Sequence, residues 1–162
     1  NIWDAQHTRC QKLIPPPGLH VTLAVPDFHL STEKSRGVLP PSYSRQDAIF
    51  NISHTAYLVA ALLSGNWQEI GVAMEDRLHQ PYRAALIPGL QEILFGAKEH
   101  GALGCALSGA GPSVLALSQG PQPQLGAFME ECFRRHNISV KVYQMTPWLD
   151  GAVQEVLEES AS

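Results

Sequence analysis

The stretch Gly104-Cys105-Ala106-Leu107-Ser108-Gly109-Ala110-Gly111-Pro112-Ser113-Val114-Leu115-Ala116-Leu117 decides the reading of the fold. Short apolar runs stand on either side of a bend rich in glycine and serine. Runs of this length bounded by turn residues read as strands: Ala102 to Leu107 and Ser113 to Leu117, with the bend from Ser108 to Pro112 between them. A connection this short suits antiparallel neighbours, so the chain carries a hairpin-like pair.

Working outward, Leu125 to His136 has helical spacing with Phe128, Met129 and Cys132 inward, and Ile138 to Tyr143 alternates as a strand. A weaker final strand is expected over Ala152 to Leu157. On the other side, Ile87-Pro88-Gly89 leads into a helix through Leu90, Ile93, Leu94 and Ala97 that ends at Gly101. Asn66 to Leu78 reads as a helix with Trp67, Ile70, Met74 and Leu78 on one stripe, broken by Gln80-Pro81-Tyr82-Arg83. The longest helix starts at Ser44, whose S-x-x-D box closes on Asp47. Its apolar stripe of Ile49, Ile52, Ala56, Val59, Ala60 and Leu63 runs to Ser64-Gly65. Earlier still, Leu30-Ser31-Thr32-Glu33 opens a short helix ending near Gly37. His20 to Val25 is a buried-strand run stopped by Pro26. Ile2 to Ile14 holds one or two short strands that end at Pro15-Pro16-Pro17-Gly18. Mixed strands and helices around an antiparallel pair argue for an α+β fold, a ferredoxin-like antiparallel sheet with helices on one face.

Composition narrows the function. Of 162 residues 44% are hydrophobic and 16% charged, ordinary for a compact domain with a real core. A formal charge of −4 with 11 Lys and Arg gives no strong electrostatic reason to bind nucleic acid or an anionic membrane. No apolar run approaches the roughly 18 residues of a membrane helix. Cys10, Cys105 and Cys132 make no C-x-x-C pair, and the histidines have no metal-ligand spacing. Free thiols in a reducing compartment, the cytoplasm, are expected. The start, Asn1-Ile2-Trp3-Asp4, has neither an initiator Met nor a signal peptide and suggests a fragment, a processed product or a trimmed chain.

Three groups of residues are able to carry chemistry. Ser108, Gly109, Ala110, Gly111, Pro112 and Ser113 form either a tight hairpin turn or a turn whose amides and hydroxyls face an anion. It is not a Walker loop, which needs G-K-[ST]. Thr32 and Arg36, four residues apart on a helix, share a face and suit a carboxylate; the plainer reading is a capping threonine and a solvated arginine. Arg83 follows an aromatic ring able to fix its plane, or is a surface arginine beside a kink. His79 reads as a structural or surface imidazole, and Glu75 and Asp76 as solvated helix charges. No pair of carboxylates suits acid–base work, and no nucleophile has an obvious base.

The order of these signals is more specific than any one of them. Val25-Pro26-Asp27, Ser31-Thr32-Glu33-Lys34-Ser35-Arg36, Val38-Leu39-Pro40, Gln80-Pro81-Tyr82-Arg83, Leu86-Ile87-Pro88-Gly89 and Leu107-Ser108-Gly109-Ala110-Gly111-Pro112-Ser113 together resemble the homoserine kinases. These belong to the galactokinase, homoserine kinase, mevalonate kinase and phosphomevalonate kinase (GHMP) superfamily. The resemblance covers roughly residues 20–118 and is looser to the C-terminus. It implies a two-domain enzyme that transfers the γ-phosphoryl of ATP to the hydroxyl of L-homoserine in threonine synthesis. Residues 1–19 would be the tail of the N-terminal domain with its connecting strands, and 20–162 the C-terminal domain. Thr32, Arg36 and Arg83 correspond to residues that hold the amino acid. Ser108 to Ser113 correspond to the family's third motif, which supports the phosphate loop.

The departures from the family are as informative. Its first motif, its glycine- and serine-rich ATP loop and the H-x-D-N segment are absent from these residues. Met145-Thr146-Pro147-Trp148 stands where relatives often carry an arginine. ATP and Mg²⁺ are expected in the full-length enzyme, ATP through the N-terminal domain, and none bound to this chain, which alone should not turn over. Family members are often homodimers. The alternative is a stand-alone ferredoxin-like regulatory domain that binds a small amino acid.

Overall fold

A computed structural model describes residues 2–4 and 9–150. The expected final strand, Ala152 to Leu157, lies outside the described residues. A two-stranded ribbon, β1 (Ile2–Asp4) and β2 (Arg9–Gln11), comes first. The main sheet has β3 (Leu19–Pro26), β4 (Gly104–Leu107), β5 (Val114–Gln119) and β6 (Val140–Met145), in the order β4-β5-β3-β6, all antiparallel. Central β3 pairs Leu23 with Leu115 on one side and Tyr143 on the other. Long crossovers between β3 and β4 and between β5 and β6, with the β4–β5 hairpin between, make the ferredoxin-like α+β arrangement. The strand over Ile138 to Tyr143 begins two residues later than its alternation suggests, because Ile138 is still closing α6 through its N–H to Phe133 O at 3.1 Å.

The helices are α1 (Thr32–Gly37), α2 (Arg45–Ser64), α3 (Ile70–Ala73), α4 (Gln80–Arg83), α5 (Leu90–Gly96) and α6 (Pro123–Arg135). Because side chains alternate along a strand, each face of the sheet gathers its own core. Ala24, Val114 and Ala116 meet α5 and α6 through Leu90, Ile93, Met129 and Phe133, all sealed from solvent. Each such large apolar side chain contributes about 1.5–3 kcal/mol by burial. A second cluster, Leu19, Leu117, Ala61 and Ile70, places α2 and α3 against alternate sheet positions.

Four expectations are corrected. Helices cover both faces of the sheet, α5 and α6 on one and α2 and α3 on the other, rather than one face alone, because apolar side chains of β3 and β5 point both ways. The helix over Asn66 to Leu78 is instead a 3-10 turn, Trp67–Glu69, followed by four-residue α3. It stops because Asn51 and Asp76 side chains take the N–H groups of residues 77–80, offering the backbone a better partner than the next helical turn. Gln80-Pro81-Tyr82-Arg83 is not a break but a helical turn of its own, with Pro81 in its first turn where no N–H is needed. Along α2, the stripe of Ile49, Ile52, Ala56, Ala60 and Leu63 faces outward, Ile52 being 70% exposed. Its packed side carries Asn51, His54, Leu58, Ala61 and Leu62. Among the described residues no helix is long and apolar enough to cross a membrane.

Candidate functional site

The hairpin bend is built by backbone geometry. Gly109 and Gly111 take positive φ of 62° and 81°, a region that side chains with a Cβ avoid. Ser108 N donates to Ser113 O at 2.9 Å, and Gly111 N to Ser108 O at 3.1 Å, closing the turn. The N–H groups of Gly109 and Ala110 have no acceptor among the described residues, nor do the Ser108 and Ser113 hydroxyls.

Two distant segments seat on this bend. Ser35, fully buried on α1, donates its hydroxyl to Ala110 O at 2.6 Å. Arg83, the last residue of α4, donates Nη1 to Gly109 O at 3.2 Å and Nε to Ser35 O at 3.1 Å. Ser35 O belongs to the last turn of α1, where carbonyls lack helical partners, so a guanidinium there satisfies an orphan acceptor.

Arg83 is therefore no surface arginine. It is 7% exposed, and its plane is fixed by two carbonyls rather than by Tyr82, whose ring meets Tyr43 edge-on at 6.0 Å. Among the described residues it has no carboxylate partner, and its Nη2 donates to none of them. No buried side-chain nitrogen or oxygen is left unpaired among them, so Nη2 reaches solvent. A buried cation without counter-charge is costly to maintain, and an anion brought to it would supply the missing charge.

Thr32 and Arg36 lie exposed on α1, on the turn that carries Ser35. The cap of α1 is Ser31, whose Oγ accepts from Lys34 N at 3.1 Å, so the Thr32 hydroxyl is not spent on capping. Bend, α1 and α4 are thus brought together by Arg83 and Ser35, while Arg36 and Thr32 are exposed to solvent on α1.

Two residues of this assembly escaped the sequence reading. Ser35 left no signal beyond being a serine in a helix. Asp76 is not a solvated charge: it is half-buried and accepts from Asn51 Nδ2, Leu78 N, His79 N and Gln80 N at 2.5, 3.1, 2.8 and 2.6 Å. Burial by itself raises its pKa, but the hydrogen bonds from Gln80, Asn51, His79 and Leu78 outweigh it and hold the carboxyl below the ordinary aspartate value.

A cavity of about 790 Å³ lies elsewhere. It opens on the other side of α4, between Phe50, Trp67, Leu94 and β4, and touches neither Arg83 nor the bend. The convergence of amides and a guanidinium, not the volume, marks the candidate anion site. Cys105 lines that cavity, where burial pushes its thiol up to about 12 and keeps it protonated. Among the described residues no three His, Cys, Asp or Glu side chains are grouped to hold a metal ion.

The GHMP kinases C terminal family model matches residues 58–135. The homoserine kinase of Moorella thermoacetica is 45% identical over 150 residues, covering 93% of this chain and 51% of the relative. That of Solibacter usitatus is 48% identical over 127 residues, 78% of this chain and 41% of the relative. Among solved structures, homoserine kinase from Cytophaga hutchinsonii superposes with a TM-score of 0.81 at 35% identity, over 84% of this chain and 44% of that one. Mevalonate kinase of L. major, 17% identical with a TM-score of 0.55 over 80% of this chain and 43% of that one, shares the fold alone. The chain spans about half the length of the curated relatives it matches. From the matched family model, these relatives and the sheet they share, the chain belongs to the GHMP kinases, as a C-terminal domain of that family.

Proposed function

We propose that this chain is the substrate-holding half of a homoserine kinase, which moves the γ-phosphoryl of ATP to the hydroxyl of L-homoserine, giving O-phospho-L-homoserine. The observation that carries the reading is Arg83, a buried guanidinium with no carboxylate partner among the described residues and one edge toward solvent. In this reading Arg83 grips the amino-acid carboxylate, Arg36 adds a second charge from α1, and the Thr32 hydroxyl bonds to the substrate. The Ser108–Ser113 bend, with two idle amides, supports the phosphate loop. The homoserine kinase names of the relatives support the choice of substrate.

ATP and Mg²⁺ belong to the whole enzyme. The described residues bring no three His, Cys, Asp or Glu side chains together, and no step is assigned to this half through the ion. What this half does in phosphoryl transfer is position the acceptor, because that chemistry rests on placement and charge neutralisation. A cytoplasmic site, a homodimer and a boundary near residue 19 complete the reading. The free-standing regulatory domain is not favoured, since kinases match along nearly the whole chain.

The test is Arg83→Leu in the full-length enzyme. Loss of a charge-assisted contact of about 1.5–3 kcal/mol raises the homoserine KM roughly 10- to 150-fold, with little change in the ATP KM. An unchanged homoserine KM removes Arg83 from the site.

A further inference from the structure

Helix α4 is a single turn, far too short to hold its own shape or direction. Yet both its ends hold the entry to the glycine bend. Gln80 Oε1 accepts from Leu107 N at 3.0 Å, on the last residue of β4 before the bend. Arg83 Nη1 reaches Gly109 O just beyond it. The side chain at each end of α4 therefore meets the backbone at one flank of the same turn.

The direction of α4 comes from a polar node behind it. Asp76 gathers the N–H groups of Leu78, His79 and Gln80, so the approach to α4 closes around one carboxylate. Asn51 holds that carboxylate through Nδ2 and accepts from Arg77 N through Oδ1 at 2.9 Å. Asn51 sits near the middle of α2, a 20-residue helix packed on the sheet. A second tie, Arg77, stacks its guanidinium 3.8 Å above the Phe50 ring one residue away on α2. A rigid helix, through two side chains, sets the place of a turn that is otherwise free.

Resting on the reading of Arg83 as the carboxylate holder, we propose that Asp76, Asn51 and Gln80 are positioning residues for it. They touch no substrate. They fix α4 so that the Arg83 guanidinium and the bend amides keep one spacing. A displaced guanidinium holds the substrate carboxylate less well, so the node bears on homoserine use specifically.

The experiment is a double-mutant cycle in the full-length enzyme, with Asp76→Asn, Asn51→Ala and Gln80→Met each made alone and with Arg83→Leu. Asp76→Asn keeps the size and one acceptor oxygen but gives up the other. Each single variant should raise the homoserine KM about tenfold while the ATP KM and kcat stay within about twofold. Combined with Arg83→Leu, none should add further, because the guanidinium they place is gone. A general loss of folded enzyme would lower the apparent kcat and leave both KM values in place, and a variant that does not fold leaves the other two to decide. The proposal is overturned if Arg83→Leu raises the homoserine KM but the three positioning variants leave it within about twofold, or if their effects multiply in full with that of Arg83→Leu. An unaltered KM in Arg83→Leu alone overturns instead the reading on which the proposal rests.

Discussion

Ser35 and Arg83, 48 residues apart, meet at one carbonyl: Arg83 Nε donates to Ser35 O at 3.1 Å. The hydroxyl of the same serine donates to Ala110 O. Ser35 thereby joins α1, α4 and the glycine bend at one buried point, and the candidate anion site depends on three segments that no local interaction could assemble.

Ser35→Ala removes only the hydroxyl bond and leaves the carbonyl that Arg83 holds. The Ala110 carbonyl then loses its partner in a half-buried place, a cost of about 1–2 kcal/mol. Thermal denaturation should show a lowered midpoint, while the homoserine KM moves much less than in Arg83→Leu. A KM effect equal to that of Arg83→Leu would mean that the serine hydroxyl itself meets the substrate.

The two glycines of the bend differ in what surrounds them. A Cβ on Gly109 meets nothing within 4 Å, so Gly109→Ala costs the left-handed strain alone, about 1–2 kcal/mol. A Cβ on Gly111 lies 2.8 Å from Ile87 Cδ1, inside the core. Overpacking there adds about 1–3 kcal/mol to the same strain. Gly111→Ala should therefore unfold at a clearly lower denaturant midpoint than Gly109→Ala; equal midpoints would contradict the packing.

The Asp76 carboxyl is held below its ordinary value in the folded protein, so the unfolded chain binds its proton more readily. Its contribution to stability is then complete above the ordinary aspartate range and lost as pH falls through the lower, folded value. Comparing Asp76→Asn with the parent by thermal denaturation across pH, the gap in midpoint should be widest near neutrality and shrink in acid. A gap that stays constant down to strongly acidic pH would show that the charge is not what matters.

Much of the fold could be read directly. The Gly104 to Leu117 stretch announces a hairpin because only glycines tolerate the positive φ its bend requires, and that hairpin is β4–β5. The Ser44 box marks the start of α2, where Ser44 Oγ accepts from Asp47 N at 3.0 Å. Both are local matters, settled within a few residues by sterics or one hydrogen bond.

The face of α2 could not be read. Apolar residues lie on two sides of that helix, and the periodic stripe of Ile49, Ile52 and Leu63 looks more hydrophobic than the side carrying Asn51 and His54. The packed side is chosen by its partners, Leu19, Ile70 and Leu117, and by the Asn51 bond to Asp76. The same reason hid the short α3: the side chains that end it come from elsewhere in the chain as well as from just beyond it.

By itself the sequence determined the strands of the main sheet, the Ser44 cap, the glycine bend and the presence of Arg36 and Arg83 among few cations. Only the tertiary structure decided that Arg83 is buried, that Ser35 and Gly109 hold it, and that Asp76 and Asn51 gather the backbone leading into its helix. Backbone sterics and spacing act between neighbours and are written in order along the chain. Desolvation of a charge, and the pairing that compensates it, exist only once distant segments have closed around it.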